Sequence, residues 1–119
     1  MISSFRDLEV WQRGMNLVEA VYRISAVFPK SETYGLTGQM RRAAISIPCN
    51  VAEGHTRSST KEFLQYISMA QASLAELETE LELARRLDYA PSEELKPIFR
   101  DTALLGRKLY ALRDALAKK

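Results

Sequence analysis

Phe63, Ile67, Ala70, Leu74, Leu77, Leu81 and Ala84 recur at alternating spacings of four and three residues. On a strand such spacings would scatter these side chains over both faces. On an α-helix they gather into one continuous stripe. Run from Thr60 to Asp88, the helix is ~43 Å long at ~1.5 Å per residue, and it needs apolar partners along all of that length. Ser59 and Glu62 form a capping box at its start. Glu76 and Glu80 flank the stripe on one side and Glu78 and Glu82 on the other. Carboxylates at such flanks are read as solvated or paired with a neighbouring helix rather than as an acid–base or metal pair.

Three further segments answer that need. The first segment carries two side by side: Leu8, Trp11, Met15, Val18, Tyr22 and Ser25, then Val10, Gly14, Leu17, Val21, Ile24 and Phe28. Ser4 and Asp7 suggest a capping box at its start, and Pro29 follows its end. Together the stripes cover about half the circumference, more than the ~100° usual for a surface helix. Either the helix touches two neighbours inside a bundle, or one stripe meets another subunit. Val10, Leu17, Val21 and Ile24 are the candidates for that contact.

The second helix should begin near Thr33–Leu36 and end at Gly54 as a C-cap. Its core stripe is Leu36, Met40, Ala43, Ile47 and Val51. Pro48 removes a backbone donor and presses on the carbonyl of Ala44, so a kink is expected there, with Asn50 and Glu53 as polar support for the freed carbonyls. Arg41, Ile45, Pro48 and Ala52 project roughly opposite the core stripe. That face is more apolar than a solvated one would be, so Ile45, Pro48 and Ala52 join the candidate subunit interface. The fourth helix opens at PSEE, with Ser92 as N-cap and Glu93 and Glu94 suited to the positive helix end. Leu95, Ile98, Thr102, Leu105, Leu109, Leu112 and Leu116 are its stripe, and Pro97 loosens its first turns.

Five glycines and four prolines are too few for the frequent turns of an all-β chain, and 119 residues suffice for one core. The expected fold is therefore all-α: an antiparallel up-down-up-down four-helix bundle forming one domain over residues 1–119. Charged groups near the N-terminus, the single Cys49 and the lack of any long apolar run point to a cytoplasmic protein that does not enter a membrane.

The net charge of +2 is unevenly spread. Residues 28–61 hold five basic against two acidic, residues 62–84 hold five Glu and no base, and residues 96–119 hold seven basic against two acidic. Such segregation suggests helices that pair charges across their contacts and leave a basic surplus for partners. Lys96, Arg100, Arg107 and Lys118 share one face of the fourth helix, and Arg41, Arg42, Arg57 and Lys61 form a second cluster. These eight are the candidate contacts for RNA or DNA, although no aromatic residue is read as interleaving the stripe.

Enzyme chemistry has little to rest on. His55, the only histidine, follows Gly54, and the residue three before it is Ala52 rather than the Glu of a di-iron pair. Zinc-ligand spacing is absent. Gly35 and Gly38 fit neither a Walker loop nor a dinucleotide fingerprint. No catalytic, metal, cofactor or small-molecule site is expected.

FRDLEVWQRGMNLV, YGLTGQMRRAAISIPCNVAEG and FLQYISMAQASLAELETELELARRLDY resemble a bacterial family of four-helix bundle proteins, the large-subunit ribosomal RNA intervening-sequence proteins. The most specific match runs from Tyr34 to Gly54. The resemblance implies a ring-like homopentamer of such bundles. It also implies kinship with the accessory variability determinant of diversity-generating retroelements, a basic pentamer working with nucleic acid. The expected function is thus a non-enzymatic oligomeric scaffold, with nucleic-acid binding as the alternative.

Overall fold

The computed structural model describes residues 4–119. Among these it contains four α-helices and no strand: α1 Glu9–Ser25, α2 Leu36–His55, α3 Thr60–Arg86 and α4 Ser92–Ala117. Two single-turn 3-10 helices, Phe5–Asp7 and Lys30–Glu32, precede α1 and α2. Each helix packs on its neighbours in the order α1, α2, α3, α4, and α4 closes back on α1. Rising residue numbers on one helix meet falling numbers on the next. Along α2 and α3, His55 meets Phe63, Ser46 meets Ser73, and Glu32 just before α2 meets Tyr89 just after α3. Between α1 and α4, Glu9 meets Lys108, whereas Ile24 lies near Glu94.

The core holds the expected stripes of α2, α3 and α4, with Met40, Ile47, Val51, Ile67, Leu77, Leu81, Leu95 and Leu109 wholly buried. In α1 the structure decides between the two stripes. Val10, Leu17, Val21 and Ile24 lie in the core at 0–7% exposure. They are therefore corrected from interface candidates to interior residues. Trp11, Met15, Val18 and Tyr22 form the outer stripe instead. Pro48 is buried too, because α1 covers it: a Cβ added at Gly14 would lie 3.3 Å from the Pro48 Cβ. Val18 and Trp11 still pack against the core edge.

Helix ends differ from the sequence expectation at several points. Ser4 caps the short turn Phe5–Asp7 by accepting from the Arg6 N–H at 3.2 Å, and α1 starts only at Glu9. Ser59 caps α3 as expected, accepting from the Glu62 N–H at 3.1 Å. The α3 terminus is a Schellman motif: the Tyr89 N–H donates to the Ala84 carbonyl and Asp88 N–H to that of Arg85, with Asp88 at φ 57°. Pro91, not Ser92, precedes the first turn of α4, which continues through Pro97. Likewise α2 runs unbroken through Pro48.

Gly54 does not stop α2. It sits buried within the last turn, where a Cβ would come within 2.7 Å of the Tyr66 Cβ and 2.8 Å of Phe63 Cδ1. Its missing side chain lets α3 approach. Charge pairing also departs from expectation, since six of the seven ion pairs among the described residues join neighbours on one helix. Lys108–Glu9, at 3.3 Å, is the one between helices.

These placements predict opposite outcomes for two glycine substitutions. At Gly106 a Cβ meets only Leu74 Cδ2, at 3.5 Å. Gly106→Ala should therefore gain about 0.5–1 kcal/mol from helix propensity. Gly54→Ala forces α2 away from α3 and should lose about 1–3 kcal/mol. Denaturant melts of the two variants check both signs.

Candidate functional site

The outer stripe of α1 and the outward side chains of α2 enclose an open groove of about 340 Å³. Trp11, Met15 and Val18 form one wall, and Ile45, Pro48, Cys49 and Ala52 the other. None of the lining residues is charged. Helical spacing produces both walls: positions 11, 15 and 18 share one side of α1, as 45, 48, 49 and 52 share one side of α2. Met15 and Ile45 are each 39% exposed, and Cys49 is an exposed free thiol. Of the seven candidate interface residues, only Ile45, Pro48 and Ala52 line this groove. The α1 residues that do so, Trp11, Met15 and Val18, belong to the other stripe, which supplied none of the interface candidates read from the sequence.

Arg41, one turn before Ile45 on α2, is fixed in place. Its Nε donates to Ser25 Oγ at 2.9 Å, a further N–H reaches the Tyr22 carbonyl, and the guanidinium stacks 4.5 Å over the Tyr22 ring. Arg57 is similarly engaged, donating to the Tyr66 hydroxyl at 2.6 Å and lying over its ring. Lys96 pairs with Glu93 and Lys118 with Asp114, each on its own helix. Arg42, Lys61, Arg100 and Arg107 are exposed, with no hydrogen-bond or ion-pair partner among the described residues. The eight candidate nucleic-acid contacts thus divide into two structural anchors, two paired lysines and four unengaged cations.

Arg100 and Arg107 lie two turns apart on the exposed side of α4, and Tyr110, 65% exposed, follows one turn later. An aromatic residue does therefore interleave the basic stripe, contrary to the sequence reading. The signal was available: at ~100° per residue Tyr110 falls beside Arg107.

The polar side chains around Pro48 form a seam between α2 and α3. Asn50 Nδ2 donates to the Ser46 carbonyl at 2.8 Å and to Ser46 Oγ at 2.9 Å, and Ser46 Oγ meets Ser73 Oγ at 2.8 Å. Asn50 is thus bonded one turn back, but to Ser46 rather than to the Ala44 carbonyl that Pro48 leaves free. Glu53 is exposed, and its side chain makes none of the hydrogen bonds among the described residues, so its supporting role is not seen.

Two turns beyond Ser73 on α3, Glu80 departs from the expected solvated flank. It is 5% exposed, and its Oε1 is buried with no hydrogen-bond partner among the described residues. Burial, reinforced by the Glu76 charge and opposed by Arg42, pushes its carboxyl up to about 7. At the end of the same seam Glu32 behaves oppositely. It accepts from the Tyr89 hydroxyl at 2.6 Å and from the Leu36 N–H at 3.0 Å, which hold it below the usual carboxylate range. Among the described residues, no group of three or more His, Cys, Asp or Glu is placed to hold a metal ion, and no helix is long and apolar enough to cross a membrane.

Comparison with known proteins gives a consistent picture. The family described as 23S rRNA-intervening sequence protein matches residues 6–111. No curated protein matches the chain. Among solved structures it is similar to a crystal structure of a protein with unknown function from the S23 ribosomal protein family of Bacteroides thetaiotaomicron. The TM-score is 0.78 at 20% identity, covering 87% of this chain and 97% of the other. At that identity the likeness extends to the fold.

The two kinds of arginine should separate in stability. Arg41→Ala leaves the buried Ser25 hydroxyl without its donor and should cost about 1–2 kcal/mol. Arg107→Ala should stay within about 0.5 kcal/mol of the parent. Thermal melts of both variants check this.

Proposed function

The chain belongs to the 23S rRNA-intervening sequence protein family, and from that premise we propose that it is a non-enzymatic scaffold of the cytoplasm that works as an assembly of its own copies. The observation that supports this most is the uncharged groove between α1 and α2. A bundle this small has little reason to leave Trp11, Met15, Val18, Ile45 and Ala52 at its surface unless another surface covers them. The family resemblance sets the expected assembly at five copies in a ring. A head-to-tail contact repeated by rotation closes in that way.

A second reading comes from α4. Arg100 and Arg107 have no acidic partner among the described residues, and exposed Tyr110 offers a face on which a base could stack. In a ring these cations would be repeated in every copy, and phosphate affinity rises with the number of contacts. Nucleic-acid binding by the assembled protein is thus the alternative role.

Light scattering should give a multiple of the 13.5 kDa protomer mass, and Ile45→Asp should reduce it to one protomer while leaving the helical signal intact. A strict monomer for the parent protein, or an unchanged mass for the variant, would refute the groove as the contact. For the alternative, binding to mixed RNA and DNA should weaken steeply with salt, and Arg100→Gln with Arg107→Gln should flatten that dependence. Absence of binding at low salt removes that role.

A further inference from the structure

Glu80 lies within the seam where α2 packs on α3. Ser73, two turns earlier on α3, is hydrogen-bonded to Ser46, so the antiparallel register sets Glu80 opposite the Gly38–Arg42 turn of α2. The seam is fastened on either side of that point. Glu32 holds the start of α2 to Tyr89, and Ser46, steadied by Asn50 of its own helix, joins its middle to Ser73. Between these fastenings sits a carboxyl with a buried oxygen and no hydrogen-bond partner among the described residues. Such a group is tolerated when neutral and strongly disfavoured when charged.

The charged groups acting on it are Glu76 of its own helix and Arg42 of α2. Glu76 opposes ionisation. Arg42 favours it, yet makes no ion pair with Glu80; its guanidinium lies back over Gly38, 3.2 Å from where a Cβ would stand. Glu32 and Tyr89 are engaged with each other and leave Glu80 unpartnered.

We infer that Glu80 is a pH-sensitive latch on the first half of α2: neutral, it stays packed in the seam, and ionised, it turns outward toward Arg42 and loosens the Gly38–Arg42 turn from α3. The latch does not depend on how copies assemble, because every group in it belongs to one chain. The sign is fixed by the direction of the shift. The folded carboxyl titrates above its ordinary value of 4.5, so its contribution is full below that value and is lost as pH rises through neutrality. Glu32, shifted the other way, loses its contribution only on acidification. The seam is therefore tightest in mild acid.

Denaturant unfolding of the full chain between about pH 5 and pH 8 tests this. The folding equilibrium of the parent should weaken with rising pH, approaching tenfold per unit before levelling near neutrality. Glu80→Gln should remove that slope, whereas Glu32→Gln should leave it and alter only the acid side. Amide exchange at residues 38–42, corrected for intrinsic rate, should quicken over the same range in the parent alone. Should Glu80→Gln fail to fold, a carbon-13 titration of the parent's glutamate carboxyls decides. One glutamate titrating near neutrality supports the latch, and all of them titrating in the ordinary range overturns it. A parent slope that persists in folded Glu80→Gln also overturns it.

Discussion

The contact of Gly14 with Pro48 fixes the rotation of α1 about its own axis. The proline ring is rigid and projects from α2 toward α1, and a glycine opposite it leaves the room that ring requires. With Gly14 seated on Pro48, Val10, Leu17, Val21 and Ile24 point into the core, and Trp11, Met15 and Val18 are turned to the outside. One close approach thereby both completes the interior and creates the uncharged groove. A proline in mid-helix costs a hydrogen bond, and here its ring serves as the surface against which α1 is aligned.

The opposite side of α2 is organised by polar groups rather than by a ring. Glu32–Tyr89 and Ser46–Ser73 tie α2 to α3 through hydrogen bonds spread along the seam, with Asn50 holding Ser46 from within α2, and Gly54 lets the helices close at its far end. Glu80 interrupts this pattern with an unpartnered carboxyl. Helix α2 is thus held on one flank by shape and on the other by hydrogen bonds on either side of that carboxyl. The groove wall formed by Ile45, Cys49 and Ala52 is carried by this same helix.

The architecture was legible because period and composition act locally. Apolar stripes in four segments, the Ser59–Glu62 box and the scarcity of glycine and proline lead to four helices without knowledge of any contact. The choice between the two stripes of α1 was not legible in that way, since both have helical spacing and the choice depends on which residue faces Pro48. Gly54 reads as a stop because glycine often ends helices, while its actual service is to a neighbour distant in sequence. Glu80 and Glu76 look alike in the pattern. Only the register with α2 buries one and leaves the other at the surface. Arg41 likewise looks like a free cation until Ser25 and Tyr22 are brought beside it. Tyr110 differs, because helical projection was enough to set it beside Arg107 and the sequence reading passed over it.

Assembly through the groove requires that the face created by Gly14 and Pro48 be covered by another copy. Cys49 reports on it directly, as the chain's one thiol and part of the groove wall. Its rate of reaction with a thiol reagent, measured across protein concentrations, should be slow where the protein is assembled and rise to that of an exposed thiol as dilution separates the copies. A fast rate at concentrations where light scattering shows an intact assembly would contradict this and place the contact elsewhere on the bundle.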